Sequence, residues 1–426
     1  MKLKVNNSNN TLKGTIEIPA DKSISHRAII FSSLAKGKSI IKNFSDGQDP
    51  HSTLKVFKNI GIEISEHEGI ITVNSTGKLS APTQNLDCGN SGTTMRLVSG
   101  VLAGQNFNST LIGDMSLSKR PMKRVIEPLS LMGAKINSCD FKAPLKISGR
   151  DLHAISYSSR IASAQVKSCI LLAGLNVENG VTTVTEPFVS RNHTEIMLKA
   201  MGAKISTNKT TVSIEKSELS PIEIEIPGDI SSAAYFIVAA LITPNSDIIL
   251  KNVGLNDTRT GIIDVVKQMG ADIEILEERT ICGEKVGDLR VRYSENLKAC
   301  NISGEIIPRL IDEIPVIAVL ATQAEGQTKI SDAQDLRNKE SDRISALVNE
   351  LKKLGAKIDE TPDGMIIEGK SSLFGDCEVE TYHDHRLAMS LYVAGLVCQK
   401  EIFINGFEWV DISFPTFLSL FEGLKK

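Results

Sequence analysis

No apolar run in this 426-residue chain approaches the roughly 20 residues needed to cross a bilayer. The longest runs, such as Tyr235 to Ile242 and Ile314 to Ala321, stop far short, so a membrane is not an expected partner. Aromatic residues are scarce: one Trp (Trp409), five Tyr and 13 Phe make a thin supply for base-stacking platforms. Charge of one sign is also missing, since 48 Lys and Arg against 51 Asp and Glu leave a formal −3. Basic clusters are therefore local features, and nucleic acid is not expected either. The seven cysteines form no C-x-x-C pair, and an odd, scattered set argues against a disulfide framework and for a reducing cytoplasm. His383-Asp384-His385 has no companion Cys or His cluster, so no metal site is expected. Met1 to Asn10 contains no apolar h-region, so no secretory leader is expected.

What the chain does hold is a series of short polar segments built to grip anions. Pro19-Ala20-Asp21-Lys22-Ser23-Ile24-Ser25-His26-Arg27 sets two cations and two hydroxyls just ahead of the helix-like run Ala28 to Leu34. Free backbone N–H groups and the helix dipole point the same way at such a place, with Asp21 or Ser23 as the cap. Leu86 to Arg96 surrounds Gly89 and Gly92 with Asn, Ser and Thr, a composition suited to a loop presenting backbone N–H groups. Gly113 to Arg124 packs Lys119, Arg120, Lys123 and Arg124 around Pro121, which suits a first helical turn. Ser190 to Glu195 resembles a simple helix cap. Leu336 to Arg343 alternates signs at helical spacing, so salt pairs three or four residues apart explain much of it without a ligand. The same caution covers Tyr382 to Arg386. At 426 residues and 41% hydrophobic content the chain is long enough for two or three cored domains.

A repeat organises it: an amphipathic helix, a glycine, then a short β-prone run, around Gly61, Gly133, Gly202, Gly270 and Gly355. Gly-Ala-Lys-Ile recurs outright in three of the five, and a fourth reads Gly-Ala-Asp-Ile. Glycine after the last helical turn is the left-handed stop. A sixth helix is expected over Thr416 to Leu424. Six units divide into two groups of three, and Ile226-Pro227-Gly228-Asp229 is the natural break. The fold class expected is α/β, with mixed sheets that bury their helices rather than one doubly wound parallel sheet.

In chain order, Asp21 to Arg27, Gly89-Asn90-Ser91-Gly92-Thr93, Lys119-Arg120-Pro121-Met122, Ser163-Ala164-Gln165, Pro227 to Ala233, Lys339-Glu340-Ser341-Asp342-Arg343 and Asp384-His385-Arg386 resemble the motifs of the 5-enolpyruvylshikimate-3-phosphate synthase family, nearly end to end. The resemblance implies the two-domain enolpyruvyl transferase fold, each domain made of three βαβαββ repeats. Residues 20–227 would form one lobe and residues 1–19 plus 228–426 the other, with hinges near 19–21 and 226–229. The implied reaction joins the 5-hydroxyl of shikimate 3-phosphate to C2 of phosphoenolpyruvate through a tetrahedral intermediate, then expels phosphate. No metal or cofactor is implied, and the expectation is a cytoplasmic monomer.

By the same resemblance, Lys22, Asn90, Gly92, Arg120, Gln165, Lys339, Arg343 and Arg386 would hold phosphoenolpyruvate. Lys22, Ser23, Arg27, Ser163, Ala164, Gln165, Arg191, Asp312 and Lys339 would hold shikimate 3-phosphate. Lys22 and Glu340 would exchange protons at carbon, and Asp312 would act as base for the hydroxyl. The sister enzyme that uses UDP-N-acetylglucosamine carries a reactive Cys before Arg-Pro, whereas here the loop reads Asp114-Met115-Ser116-Leu117-Ser118-Lys119. A non-catalytic anion-binding protein would gain nothing from Asp312 and Glu340, because uncompensated carboxylates weaken an anion pocket unless they do proton chemistry. Gly37-Lys38-Ser39 lacks the glycine that a P-loop places five residues earlier, position 32 being Ser.

Overall fold

The structure is a computed structural model and describes residues 1–6 and 11–426; residues 7–10 of the expected first segment lie outside it. The chain divides into two compact units, one of residues 20–226 with 280–284, the other of residues 1–19, 227–279 and 285–426. This differs from the expected boundaries in giving Pro227 to the second unit and Thr280–Glu284 to the first.

Each unit is built from the same repeat, and the span 86–148 displays it whole. Strand Leu86–Asp87 leads to helix Gly92–Ala103, strand Asn108–Ile112, helix Lys123–Leu131 and the hairpin Lys135–Cys139 with Lys142–Ser148. The first two strands pair in parallel and the hairpin adds antiparallel, which gives the mixed sheet expected. The first helix of the repeat is buried nearly all round, while the second buries one face only. All five stop glycines have positive φ, from 83° to 102°. At Gly133 the closing bonds are Gly133 N to Ser130 O at 3.0 Å and Ala134 N to Leu129 O at 3.0 Å, the pattern by which a left-handed residue satisfies the last helical carbonyls.

The repeats at 156–214 and 301–368 have the same strand order. Two others borrow their first strand. Glu223–Glu225 pairs in parallel with Lys36–Lys42 to complete the first sheet of residues 20–226. Lys13–Glu17 pairs in parallel with Asp247–Gly254 in the other unit. Among the described residues the sixth sheet has three strands, Lys2–Val5, Ile402–Asn405 and Cys377–Glu380. The sixth repeat thus lacks the expected closing hairpin, and its place is partly taken by the N-terminal strand.

The core of residues 20–226 lies around the inner helices Lys22–Leu34, Gly92–Ala103 and Ala164–Gly174. In the other unit the inner helices are Ile230–Ile242, Ile314–Gln323 and His385–Gly395, and they absorb the two longest apolar runs of the sequence. Two local expectations fail. Pro121 precedes the helix, which begins at Lys123. Leu336 to Arg343 is not one helix but a 3₁₀ turn, Gln334–Asn338, and the start of Arg343–Lys353, because Asp342 caps the latter by accepting from Ile344 N and Ser345 N.

Candidate active site

Pro19 to Arg27, Leu86 to Arg96 and Tyr382 to Arg386 lead into inner helices, while Gly113 to Arg124, Ser190 to Glu195 and Leu336 to Arg343 lead into the second helices of their repeats; at either place the first backbone N–H groups have no partner of their own. In residues 20–226 three caps do the local work. Asp21 accepts from Ile24 N at 2.8 Å, Ser91 from Thr94 N at 3.1 Å and Ser163 from Val166 N at 3.5 Å. Lys22, the first residue of its helix, places its ammonium 3.2 Å from Asp49 of the helix Gln48–Asn59.

Arg27 is buried and ties its own helix to Ala164–Gly174 and to His193–Ala200. Its Nε donates to Thr194 Oγ1 at 2.7 Å, Nη2 to Ser168 Oγ at 2.9 Å and Nη1 to Ser23 O at 2.9 Å. Beneath it, His26 Nδ1, Thr53, Thr94 and Ser91 form a hydrogen-bonded chain with links of 2.6 to 2.8 Å. Burial first, then the charges of Lys22 and Arg27, hold the His26 imidazole well below its usual pKa, so it serves as a neutral member of that chain.

A second constellation surrounds Gly92. Arg96 Nη1 donates to Gln165 Oε1 at 2.6 Å, and Gln165 Nε2 donates to Thr93 Oγ1 at 2.8 Å, which fixes the amide of Gln165. Arg120 Nη2 donates to Asn90 Oδ1 at 2.8 Å while Asn90 Nδ2 donates to Asp114 Oδ2 at 2.7 Å. A Cβ on Gly92 would stand 2.9 Å from Arg96 Nη1 and 3.5 Å from Arg120 Nη1, so the two guanidinium groups converge on this glycine. Ser163 N donates to Glu186 Oε1 at 2.7 Å. Glu186 and Glu195 in turn flank the buried Lys167 at 3.1 and 2.7 Å. Ala164 is the first residue of the helix that Ser163 caps, and Arg191 stands two residues before the helix His193–Ala200.

In the other unit the charges gather around Asp312. Arg343 Nη1 stands 3.3 Å from its carboxylate, Lys339 Nζ 3.7 Å and Arg386 Nη2 3.9 Å. Glu340 meets Arg343 Nη2 at 2.5 Å, and Asp384 accepts from Arg343 Nε at 2.7 Å. Burial by itself disfavours charge on Arg343, but Asp384 and then Glu340 outweigh it, so its pKa is raised. Arg386 behaves alike, burial being outweighed first by Asp312. Both guanidinium groups are permanent cations presented with carboxylates around them. Such a cluster can hold an oxyanion and, at Glu340 and Asp312, accept or return a proton beside it.

The structure thus brings Asn90, Gly92, Arg120 and Gln165 together, and it brings Asp312, Lys339, Glu340, Arg343 and Arg386 together. Sequence reasoning missed the partners that aim them. Arg96 carries a signal, since it lies four residues after Gly92 on one helix face, but Asp49, Asp114 and Glu186 give none. Among the described residues no group of His, Cys, Asp or Glu is arranged to hold a metal ion, and no helix is long and apolar enough to cross a membrane.

A sequence model of the family described as EPSP synthase (3-phosphoshikimate 1-carboxyvinyltransferase) matches residues 6–421. The chain is 52% identical over 419 residues to the 3-phosphoshikimate 1-carboxyvinyltransferase of Bacillus licheniformis, covering 97% of each. It is 54% identical over 423 residues to that of Thermodesulfovibrio yellowstonii, covering 98% of each. Among solved structures it is similar to an EPSP synthase from Acinetobacter baumannii, with a TM-score of 0.89, 43% identity and coverage of 100% and 98%. The enolpyruvyl transferase NikO from Streptomyces tendae, 15% identical with a TM-score of 0.79 over 99% and 97% of the two chains, shares the fold.

Proposed function

The chain belongs to the EPSP synthase family, and from that premise we propose how its residues divide the transfer of the enolpyruvyl group of phosphoenolpyruvate to shikimate 3-phosphate, a step of the shikimate pathway towards the aromatic amino acids. The observation that carries the division is Asp312 ringed by Lys339, Arg343 and Arg386 at 3.3 to 3.9 Å. Three cations around one carboxylate suit a reaction that must both neutralise anionic substrates and take a proton from a hydroxyl.

In this reading Lys339, Arg343 and Arg386 grip phosphoenolpyruvate, as do Lys22, Asn90, Gly92, Arg120 and Gln165. Arg96 joins them as the residue that orients Gln165. Lys22, Ser23, Ser163, Ala164, Gln165, Arg191, Asp312 and Lys339 serve shikimate 3-phosphate. Arg27 serves it through Ser23, whose carbonyl it holds. Asp312 takes the proton of the attacking hydroxyl, while Lys22 and Glu340 deliver and recover the proton at carbon. A cytoplasmic monomer accompanies this reading; the seven free cysteines support a reducing compartment, and size-exclusion chromatography tests the monomer.

The deciding assay is phosphate release in metal-free buffer with phosphoenolpyruvate plus shikimate 3-phosphate, beside phosphoenolpyruvate plus UDP-N-acetylglucosamine. Release with the first pair alone is expected; release with the second pair alone overturns the assignment. Gly92→Ala gives a sharper check on the pocket. The arginine ends that its Cβ meets are flexible, so the fold survives while both forks shift. The KM for phosphoenolpyruvate is expected to rise about three- to tenfold with that for shikimate 3-phosphate unchanged. Glyphosate, whose charge layout resembles phosphoenolpyruvate, is expected to compete with it and to bind this variant more weakly. An unchanged KM would remove Gly92 from the pocket.

A further inference from the structure

Immediately before the helix His385–Gly395 the chain makes a turn in which Asp384 N donates to Thr381 O at 2.9 Å. Its two central residues, Tyr382 at φ 52° and His383 at φ 61°, both lie in the left-handed region. That backbone defines a type I′ turn and is normally supplied by Asn-Gly. Two consecutive side chains other than Gly, Asn or Asp are strained there, and such strain persists only where the surroundings impose it.

The surroundings do impose it. Tyr382 Oη donates to Glu350 Oε1 at 2.8 Å, and Glu350, fully buried, also accepts from Glu380 N at 3.0 Å and Lys353 Nζ at 2.8 Å. Burial, then Glu350, pushes the Tyr382 phenol up to about 12, so it keeps its proton to donate at any working pH. The His383 ring stacks on Trp409 at 4.6 Å and 21°. Thr381 Oγ1 donates to Gly406 O at 3.1 Å and fixes the start of the turn. The end of the turn is Asp384, wholly buried, which accepts from Arg343 Nε at 2.7 Å, Ser341 Oγ at 3.1 Å and Arg386 N at 2.9 Å.

We propose that Tyr382 and His383 are positioning residues: their left-handed turn, clamped by Glu350 and Trp409, sets where the Asp384 carboxylate stands and through it the bearing of Arg343 and Arg386. The inference rests on the reading above that these two arginines grip phosphoenolpyruvate. A relaxed turn would carry Asp384 elsewhere, and a displacement near 1 Å at a positioning group costs up to about a hundredfold in rate. The strain is then a device for aiming, imposed on residues outside the set that grips phosphoenolpyruvate in that reading.

The test is a series at position 383 with KM measured for each substrate separately. His383→Asn and His383→Gly, both compatible with the left-handed backbone, are expected to hold the KM for phosphoenolpyruvate within about threefold of wild type. His383→Val, whose branched Cβ resists that backbone, is expected to raise it about tenfold or more while the KM for shikimate 3-phosphate moves less than about twofold. Tyr382→Phe, which keeps the ring and loses only the bond to Glu350, is expected to raise it about threefold and carries the test if the valine variant does not fold. Unchanged phosphoenolpyruvate KM values in the variants that fold, or both KM values rising in step with lost thermal stability, overturn the proposal. Arg386→Lys separates the two layers. If it leaves the phosphoenolpyruvate KM alone, the reading of the arginines falls and the proposal with it; if it raises that KM while the turn variants do not, the proposal falls alone.

Discussion

Lys22→Ala and Glu340→Ala are each expected to lower kcat by about 10²- to 10⁴-fold, the usual worth of a positioned acid or base, with the melting temperature nearly unchanged. The stability half of the expectation comes from what each change leaves behind. Removing Lys22 strands Asp49, but Asp49 lies in the first turn of the helix Gln48–Asn59, where the helix dipole favours a carboxylate. The Lys22–Asp49 pair keeps some exposure to solvent and contributes at most about 1 kcal/mol. Removing Glu340 leaves Arg343 still facing Asp384 and Asp312. Phosphate-release kinetics beside a circular dichroism melt checks both halves. A purified variant that turns over within threefold of wild type while melting normally would remove its residue from the proton chemistry.

The second large effect is on stability. Arg343→Met should destabilise the protein by about 3–5 kcal/mol, the cost of breaking a buried ion pair by deleting one partner. Asp384 is fully buried and, among the described residues, would be left with the hydroxyl of Ser341 and the Arg386 N–H. For a unit of about 200 residues that corresponds to roughly 10 °C in Tm. The test is a thermal melt with and without shikimate 3-phosphate at saturation. A shift under 2 °C would show that Asp384 is compensated without Arg343.

The sequence disclosed the parts of this molecule that repeat and the parts that are local. Gly61, Gly133, Gly202, Gly270 and Gly355 could be seen as helix stops because a left-handed residue has a composition of its own, and all five have positive φ. The anion-gripping segments were legible because helix caps and cations sit within a few residues of each other. Position along the chain says nothing, however, about partners 27 or 41 residues away, and so Asp49 beside Lys22 and Asp384 beside Arg343 were not foreseen. Nor was the helical reading of Leu336 to Arg343 sound. Alternating charges fit an i,i+4 pattern, and Lys339 does meet Asp335 at 3.4 Å, but the cap at Asp342 starts a new helix inside the segment. The turn at Tyr382 and His383 was hidden for the opposite reason, since residues forced into a backbone they do not prefer leave no compositional trace.

The borrowed strands bear on how the polypeptide is made. Lys2–Val5 pairs with Ile402–Asn405, and Lys13–Glu17 pairs with Asp247–Lys251, so the segment that holds these two strands is synthesised hundreds of residues ahead of its partners. At about 5–20 residues per second, that segment waits on the order of tens of seconds with its edges unsatisfied. Residues 20–226 can close their last sheet as soon as Glu223–Glu225 emerges, well before the other unit is complete. The nascent chain therefore has the sheets of residues 20–226 closed while Lys2–Val5 and Lys13–Glu17 are still unpaired, and those two strands are where premature pairing with another chain would begin.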